Sequence, residues 1–251
     1  MGRQRFNIHT HTARCGHADG TDVQYVNSAI EAGFQILGFS EHIPFEEIRI
    51  KGARMFMEQK DEYLLSIRKL QQQFKGKIEI KVGFEVEYLE DHLDYLKQVK
   101  EECDYLILGQ HLKYVHSQNE FYDYDCYCSD EDLFIYVEQI EAALQHDLVT
   151  YVAHPDYFMQ GRRIFSKACK EVAHRIAKAS LEYDIPLEIN LNGFRYGKKH
   201  MNLMRNQMFM RNVIPIHLEN FGKLFLHMAV RFYMVMMRIL LLLFLRETEK
   251  C

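Results

Sequence analysis

The stretch Phe6-Asn7-Ile8-His9-Thr10-His11 is a short apolar run that ends in two histidines separated by one residue. Residues two apart in an extended strand point to the same side. His9 and His11 can therefore bind one cation together. Such a pair also occurs by chance, so the other motifs of the chain must show whether these two histidines bind a metal.

Further short apolar runs alternate with segments of helical period along the first three-quarters of the chain. The runs are Gln35–Phe39, Ile78–Phe84, Tyr105–Leu108, Val149–Val152 and Pro186–Ile189, and the helical segments are Asp22–Ala32, Met57–Phe74, Asp130–Leu144 and Ser166–Tyr183. Alternation of strand and helix predicts parallel strands joined by crossover helices. A chain of 251 residues suits a single α/β barrel.

Side chains that can bind metals follow the predicted strands. Besides His9 and His11 they are His17, His42, Glu85, His111 and His154. All strands of a parallel barrel end on one face, so these residues should converge there. Imidazole combined with carboxylate favours Zn, Fe or Mn over Mg or Ca. A single such histidine is usually an ordinary surface residue, as we interpret His92, His116, His146 and His174. Six histidines and one glutamate, each just after a predicted strand, indicate a metal centre.

Composition excludes several other classes of protein. The net charge of −4 comes from mixed signs without a basic run, so no nucleic-acid surface is expected. The first residues lack an apolar signal segment, and the six cysteines show no paired spacing, so we expect reduced thiols and a cytoplasmic location. Residues 224–245 are apolar, but His227, Arg231 and Arg238 interrupt them, so no membrane span is expected.

The ordered motifs resemble the polymerase-and-histidinol-phosphatase (PHP) superfamily, and most of all its monofunctional histidinol-phosphatases of histidine biosynthesis. The resemblance covers residues 5 to about 199. The motifs are His9-Thr10-His11, Cys15-Gly16-His17, Phe39-Ser40-Glu41-His42, Gly83-Phe84-Glu85-Val86-Glu87-Tyr88, Gly109-Gln110-His111 and Ala153-His154-Pro155.

The resemblance implies a distorted (β/α)7 TIM-like barrel over 1–199 with three divalent metal ions. By resemblance His9, His11 and Glu85 bind the first ion. Glu85 bridges to a second ion that His111 and His154 complete, while His17 and His42 hold the third. A metal-bridging hydroxide would then attack the phosphorus of L-histidinol phosphate and release L-histidinol and phosphate.

Substrate contacts are predicted less sharply than metal ligands. Arg195 is the first candidate for the phosphate oxygens, and Arg162 and Arg163 come next, because a planar guanidinium suits phosphate. Three alternatives stay open: another PHP phosphoesterase acting on nucleotides or general phosphomonoesters, a metal-storing binding module, and a non-catalytic relic or membrane-tethered regulator that uses the apolar tail. The oligomeric state is not predicted.

The tail from 200 to 251 departs from the family, which ends its site with a Gly-x-Asp-Ala-His motif. The family's Asp completes the first metal and its His the third. Because methionine has the single codon ATG, part of the gene can be read from the protein. Read two bases later, the codons of 234–239 must give Gly and Asp in the family spacing, give Ala if Arg238 uses a CGN codon, and permit His.

One consistent shifted reading of 213–239 is YPYPLGKFWEAFSAYGGTVLYGDDAH, a helix followed by a strand and the missing motif. We therefore hypothesise a frameshift between Gly197 and Val213. The literal tail would lack the last barrel strand and two metal ligands, which predicts an unstable or inactive polypeptide and an intact parent that is a working enzyme.

Overall fold

A computed structural model describes residues 4–115, 117–162 and 164–189, and their main feature is one parallel sheet covered by helices. The sheet has the order β1-β2-β3-β4-β7, and β5 and β6 form a separate antiparallel hairpin. The strands are β1 Phe6–Asn7, β2 Ile36–His42, β3 Glu79–Val86, β4 Tyr105–Leu108, β5 Leu112–Val115, β6 Glu120–Asp123 and β7 Tyr151–Val152. The predicted α/β class with parallel strands is confirmed.

Five α-helices accompany these strands in the described part of the chain. They are α1 Asp22–Glu31, α2 Lys60–Gln73, α3 Leu93–Glu102, α4 Asp130–Gln145 and α5 Lys167–Glu182. Side chains cap the helices that sequence predicted best. Ser129 accepts a hydrogen bond from the Asp132 amide at the start of α4, and Ser166 accepts one from the Cys169 amide at the start of α5.

Two elements lie where no element was expected. Helix α3 buries only Leu96 and Val99, so its apolar stripe is too thin to stand out in the sequence. The hairpin β5–β6 alternates weakly because its outer side chains are half-buried or exposed. Helix α2 also begins later than predicted, since Met57–Gln59 form a 3-10 turn before it.

The sheet curls until its two edges meet. Leu187 forms a parallel bridge with Val152 beyond β7, which makes the predicted run 186–189 the start of a further strand. Inside the curl, the hydroxyls of Tyr105 and Tyr151 both donate to the carbonyl of Ile8, just after β1 at the opposite edge. The observed part of the barrel is therefore filled by side chains, as in other parallel barrels.

Tyr105 fits inside the curl because two neighbouring strands carry glycine beside it. A Cβ atom at Gly38 would overlap the Tyr105 hydroxyl, and one at Gly83 would overlap its backbone and ring. These glycines are thus required by close approach rather than by backbone conformation. The remaining apolar side chains of the sheet and helices form the main core on the outer face.

The tail lies outside the described residues, together with its predicted frameshift and the apolar segment 224–245. Within the described ranges, no helix is long and apolar enough to span a bilayer. The five cysteines among these residues are all free thiols, in agreement with the expectation from their spacing.

Candidate metal centre

The register of the sheet brings the predicted ligands together. Strands β2 and β3 pair so that His42 lies directly beside Glu85, at the carboxyl ends of both strands. The segment 9–11 is fixed against the end of β2, because Ser40 donates its amide to the Thr10 carbonyl and accepts the Thr10 amide on its hydroxyl. Both histidines of the opening motif are thereby held over the strand end.

Glu85 is the centre of the cluster, and its carboxylate is 1% exposed. Five imidazoles surround it. Their distances to the nearer Glu85 oxygen are 3.4 Å from His9 Nε2, 3.2 Å from His11 Nε2, 3.2 Å from His42 Nδ1, 3.5 Å from His111 Nε2 and 2.7 Å from His154 Nε2. Six of the seven predicted residues therefore meet around one carboxylate.

Gly109 makes room for this carboxylate. A Cβ atom at Gly109 would overlap the Glu85 side chain from Cγ to Oε1. The Gly-Gln-His motif at the end of β4 thus has two separate purposes. It supplies His111, whose ring faces Glu85, and it leaves space beside that carboxylate.

His17, the seventh predicted residue, lies at the rim of the cluster. Its ring centroid is 5.2 Å from that of His11 and 5.4 Å from that of His42. It forms a group with His11 and the buried Cys15 in which the potential ligand atoms lie within 4.8 Å of one another. Cys15 was not predicted to take part.

Three carboxylates that sequence reasoning left without a role hold three of the histidines. Glu188 lies 3.0 Å from His9 Nδ1, Glu41 lies 3.2 Å from His11 Nδ1, and Glu87 lies 3.1 Å from His111 Nδ1. A proton on each Nδ1 satisfies its carboxylate and leaves the Nε2 lone pair facing Glu85. This is the tautomer and the outer partner that metal-binding histidines usually have.

The three carboxylates are themselves fixed. Glu41 accepts the amide and hydroxyl of Thr12, and Glu87 forms a buried ion pair with Arg54 at 2.7 Å. Glu188 accepts the His154 amide at 2.9 Å. The sequence carries a signal for Glu41 and Glu87, because an acid in or next to an apolar strand needs a partner, but it does not indicate which partner.

His154 has an unusual backbone conformation, with φ of +26°. Such a conformation costs on the order of 1–3 kcal/mol for a residue other than glycine. The His154 amide donates to Glu188 at 2.9 Å, and its ring reaches Glu85. Strain of this kind, in a loop whose ring reaches a buried carboxylate, is typical of a functional site.

Glu85 and the imidazoles around it shift one another's pKa values. Burial would raise the pKa of Glu85, but His9, His42 and His111 hold it well below its usual range. Burial lowers the pKa of His9, yet the charge of Glu85 and the bond to Glu188 raise it to about 9. A divalent cation would displace any proton on the ring nitrogens that face Glu85, because metal binding to histidine releases protons.

The cluster fits a group of metal ions. Two ligands at about 2.0–2.1 Å from a tetrahedral ion lie roughly 3.3 Å apart, which matches the nitrogen–oxygen distances around Glu85. Three buried atoms there, Glu85 Oε2, His42 Nδ1 and His154 Nδ1, make no hydrogen bond within the described residues. Among the described residues, four groups of three side chains could each hold a metal ion: His11 with Cys15 and His17, His9 with Glu85 and His154, His11 with His42 and Glu85, and His42 with Glu87 and His111.

Of the predicted phosphate-binding arginines, only Arg162 lies among the described residues. Its guanidinium donates to the Cys128 carbonyl at 2.8 Å and to the Ser166 hydroxyl at 3.1 Å, and it forms an ion pair with Asp130. It therefore joins the starts of α4 and α5. Arg163 and Arg195 lie outside the described residues.

Comparison with known proteins identifies the family of this chain. Residues 7–192 match the family model of the PHP domain. The chain belongs to the PHP domain family. That family match contains all seven predicted ligands and all three supporting carboxylates.

Its relatives carry related names. A “Probable histidinol-phosphatase” of Schizosaccharomyces pombe is 27% identical over 222 residues, which are 76% of this chain and 71% of that protein. The Histidinol-phosphatase of Bacillus subtilis is 27% identical over 132 residues, 49% of each chain. A “Probable histidinol-phosphatase” of Deinococcus radiodurans is 38% identical over 80 residues, 32% of this chain and 31% of that protein. The chain thus spans between about a third and seven-tenths of the length of these relatives.

Solved structures show the same fold. The candidate histidinol phosphatase hisK of Listeria monocytogenes superimposes with a TM-score of 0.66 at 21% identity, covering 87% of this chain and 91% of that one. The histidinol phosphate phosphatase of Lactococcus lactis, complexed with Zn, L-histidinol and phosphate, gives 0.59 at 19% identity, covering 88% and 82%. The barrel-type fold expected from the resemblance is confirmed.

Proposed function

We propose that this chain carries the catalytic centre of a phosphatase that hydrolyses L-histidinol phosphate to L-histidinol and phosphate. The observation that carries the proposal is the buried Glu85 carboxylate with five imidazoles around it. The names of the relatives supply the substrate. Two of these relatives are 27% identical to this chain, one over 76% and the other over 49% of its length.

Three divalent ions, Zn, Fe or Mn, are the proposed cofactors. His9, His11 and Glu85 would hold the first, Glu85 with His111 and His154 the second, and His17 and His42 would contribute to the third. When bound, such ions acidify a water molecule and neutralise charge on a phosphate ester. Imidazole and carboxylate donors are those that these three metals prefer.

The protein's own contribution is to hold the donors rigidly. Glu41, Glu87 and Glu188 keep the Nδ1 protons of three histidines in place, so their Nε2 atoms stay available. Arg54, itself buried, neutralises Glu87 and keeps that carboxylate ionised; burial would raise the pKa of Glu87, and Arg54 lowers it. Preorganised donors spare the reaction the cost of arranging them.

Phosphate recognition is assigned to arginine outside the described residues. Arg195 remains the first candidate and Arg163 the second, since either guanidinium could take two phosphate oxygens at once. Arg162 becomes a weaker candidate because its donors already bind Cys128, Asp130 and Ser166.

A biosynthetic enzyme with reduced thiols would work in the cytoplasm on a small phosphate ester.

Phosphate release tests the proposal. The present chain and a chain carrying the shifted reading of 213–239 are each loaded with Zn, Fe or Mn and given histidinol phosphate, p-nitrophenyl phosphate and a set of nucleotides. We expect the restored chain to prefer histidinol phosphate and the present chain to be much slower. A metal-loaded restored chain that prefers nucleotides or p-nitrophenyl phosphate would support the broader phosphoesterase instead, and one without any turnover would support a relic.

A further inference from the structure

A buried thiol lies at the rim of the metal centre. Cys15 is 0% exposed, and its Sγ donates to the Thr12 carbonyl at 3.0 Å. This Sγ and one ring nitrogen each of His11 and His17 lie within 4.8 Å of one another. Among residues 4–115, 117–162 and 164–189, no other cysteine belongs to a group of potential metal ligands.

Packing in a hydrophobic core does not explain this thiol. Cys15 belongs to neither of the two hydrophobic clusters formed by the described residues, although it is fully buried. Cys128 and Cys169, which are also buried thiols, both belong to the larger cluster. The surroundings of Cys15 are instead the imidazoles of the metal centre.

The segment that carries the thiol is held in place. Ala13–Cys15 form a 3-10 turn, and Gly16 ends it with a φ of +80°. Arg14 forms ion pairs with Asp22 at 2.8 Å and with Glu62 at 2.7 Å. These contacts fix the turn against the first two helices, so the thiol keeps its position beside the histidines.

The rings near Cys15 are spaced like ligands of one ion. Two imidazoles that bind a tetrahedral ion at about 2.0–2.1 Å have ring centroids roughly 5 Å apart. The centroid of His17 lies 5.2 Å from that of His11 and 5.4 Å from that of His42. A thiolate and an imidazole on one zinc ion have their ligand atoms roughly 3.6 Å apart. The present separations can reach that value by a shift of about 1 Å.

The ion assigned to His17 has the fewest ligands of the three proposed ions. That assignment gives it only His17 and His42, whereas each of the two ions beside Glu85 has three donors. Zinc in proteins normally has at least three protein ligands. A further donor next to His17 is therefore needed, and Cys15 is placed to be that donor.

We propose that Cys15, as a thiolate, binds the ion assigned to His17, so that one ion of the centre has a sulfur ligand. The inference rests on the proposed function for the presence of that ion. Binding replaces the S–H bond and its contact with the Thr12 carbonyl by a metal–sulfur bond, and one proton passes to solvent. Thiolate favours Zn, whereas Mn prefers oxygen ligands, so this site selects against Mn.

X-ray absorption of the zinc-loaded wild-type chain tests sulfur ligation without a variant. The spectrum at the zinc edge should contain a zinc–sulfur distance of about 2.3 Å beside the shorter distances to nitrogen and oxygen. A zinc shell of nitrogen and oxygen alone, or a folded chain that binds no zinc, would overturn the inference. The measurement involves no turnover, so the phosphate-release assay tests the proposed function separately.

Cobalt substitution assigns the sulfur to Cys15. Thiolate bound to Co(II) gives a strong charge-transfer band in the near ultraviolet, which nitrogen and oxygen ligands do not give at that strength. We expect Cys15→Ser to lose the band of the wild type and to lower the ratio of Zn to Mn affinity about tenfold or more. Cys103→Ser and Cys126→Ser remove free thiols outside the potential ligand groups and should keep the band. A band that survives Cys15→Ser, or that disappears in either control, would contradict the assignment.

Discussion

At the scale of single residues, the site consists of one central carboxylate, the imidazoles around it and a second set of carboxylates outside those imidazoles. Glu85 faces the imidazoles, and further carboxylates hold the far sides of those imidazoles. The spacing of the motifs predicted the inner set, because metal-binding types at successive strand ends are recognisable in a sequence. The outer carboxylates were not assigned roles, since their partners are 24 to 179 residues away and only the folded chain brings them together.

Replacing Glu41 by Gln tests the outer set. The amide can still contact Thr12, but it no longer accepts the His11 proton as a charged group. We expect the affinity for the most tightly bound metal to fall about 10–100-fold, measured by competition with a chelator. Glu58→Gln is the control, because Glu58 pairs with Arg49 at the surface. Equal affinities in the two variants would remove the role given to Glu41.

Replacing Gly109 by Ala tests the close approach to Glu85. The added methyl group must displace the carboxylate, so we expect metal affinity to fall about tenfold or more. Urea unfolding of the metal-free protein should show a smaller effect, because a displaced side chain can rearrange within the cluster. Metal affinity like that of the wild type would show that the carboxylate does not need the position it has here.

At the scale of elements, the sequence predicted strands and helices best where a clear period coincides with caps. Helices α4 and α5 were expected from Ser129 and Ser166 and an apolar face, and both begin there. Helix α3 escaped prediction because only Leu96 and Val99 are buried along it. The hairpin β5–β6 escaped prediction for a similar reason, because most of its side chains are half-buried or exposed.

Asp104 joins several elements ahead of β4. Its carboxylate accepts the Val82 amide of β3 and bonds to Arg68 and Gln71 of α2. Burial would raise its pKa, but the Val82 amide and Arg68 lower it. A lowered pKa in the folded state stabilises the protein above the unfolded value of about 4, and the stabilisation disappears as pH falls through the folded value.

Asp104→Asn should therefore lower the free energy of unfolding by about 1–2 kcal/mol at pH 7. The difference from the wild type should shrink below about pH 4. Urea unfolding across this range measures both values. The exposed acid Glu101, replaced by Gln, provides the comparison and should give a difference near zero at each pH. A difference for Asp104→Asn that does not change with pH would contradict the assignment.

At the scale of the whole molecule, the two edges of the curled sheet meet at the metal centre. His9 follows β1 at one edge, and Glu188 lies beyond β7 at the other, yet their side chains are 3.0 Å apart. The curl of the sheet therefore brings parts of the site from both of its edges together. The overall class followed from the alternation of strand and helix, whereas this contact could not be predicted from spacing.

The tail is the place where the sequence departs from its family. Reading the gene two bases later over 234–239 gives the Gly and Asp of the expected motif and permits its Ala and His, and we propose a frameshift between Gly197 and Val213. Resequencing the gene across codons 195–240 decides the matter, and an extra or missing base is the expected result. A clean frame that encodes the present tail would refute the proposal.

The same proposal predicts a difference in stability. A barrel without its last strand leaves sheet edges unpaired, so the restored chain should unfold at higher urea concentration than the present one. The present chain should also aggregate more readily during refolding. Equal midpoints for the two chains would show that the present tail completes the fold in its own way.

The central claim is that Glu85 organises a centre of several metal ions. The most direct measurement is elemental analysis of anaerobically purified, folded protein, comparing the wild type with Glu85→Gln. We predict more than one tightly bound Zn, Fe or Mn ion per wild-type chain, and loss of most of that metal in Glu85→Gln. Folded wild-type protein that carries no metal, or a Glu85→Gln variant that carries as much as the wild type, would contradict the account.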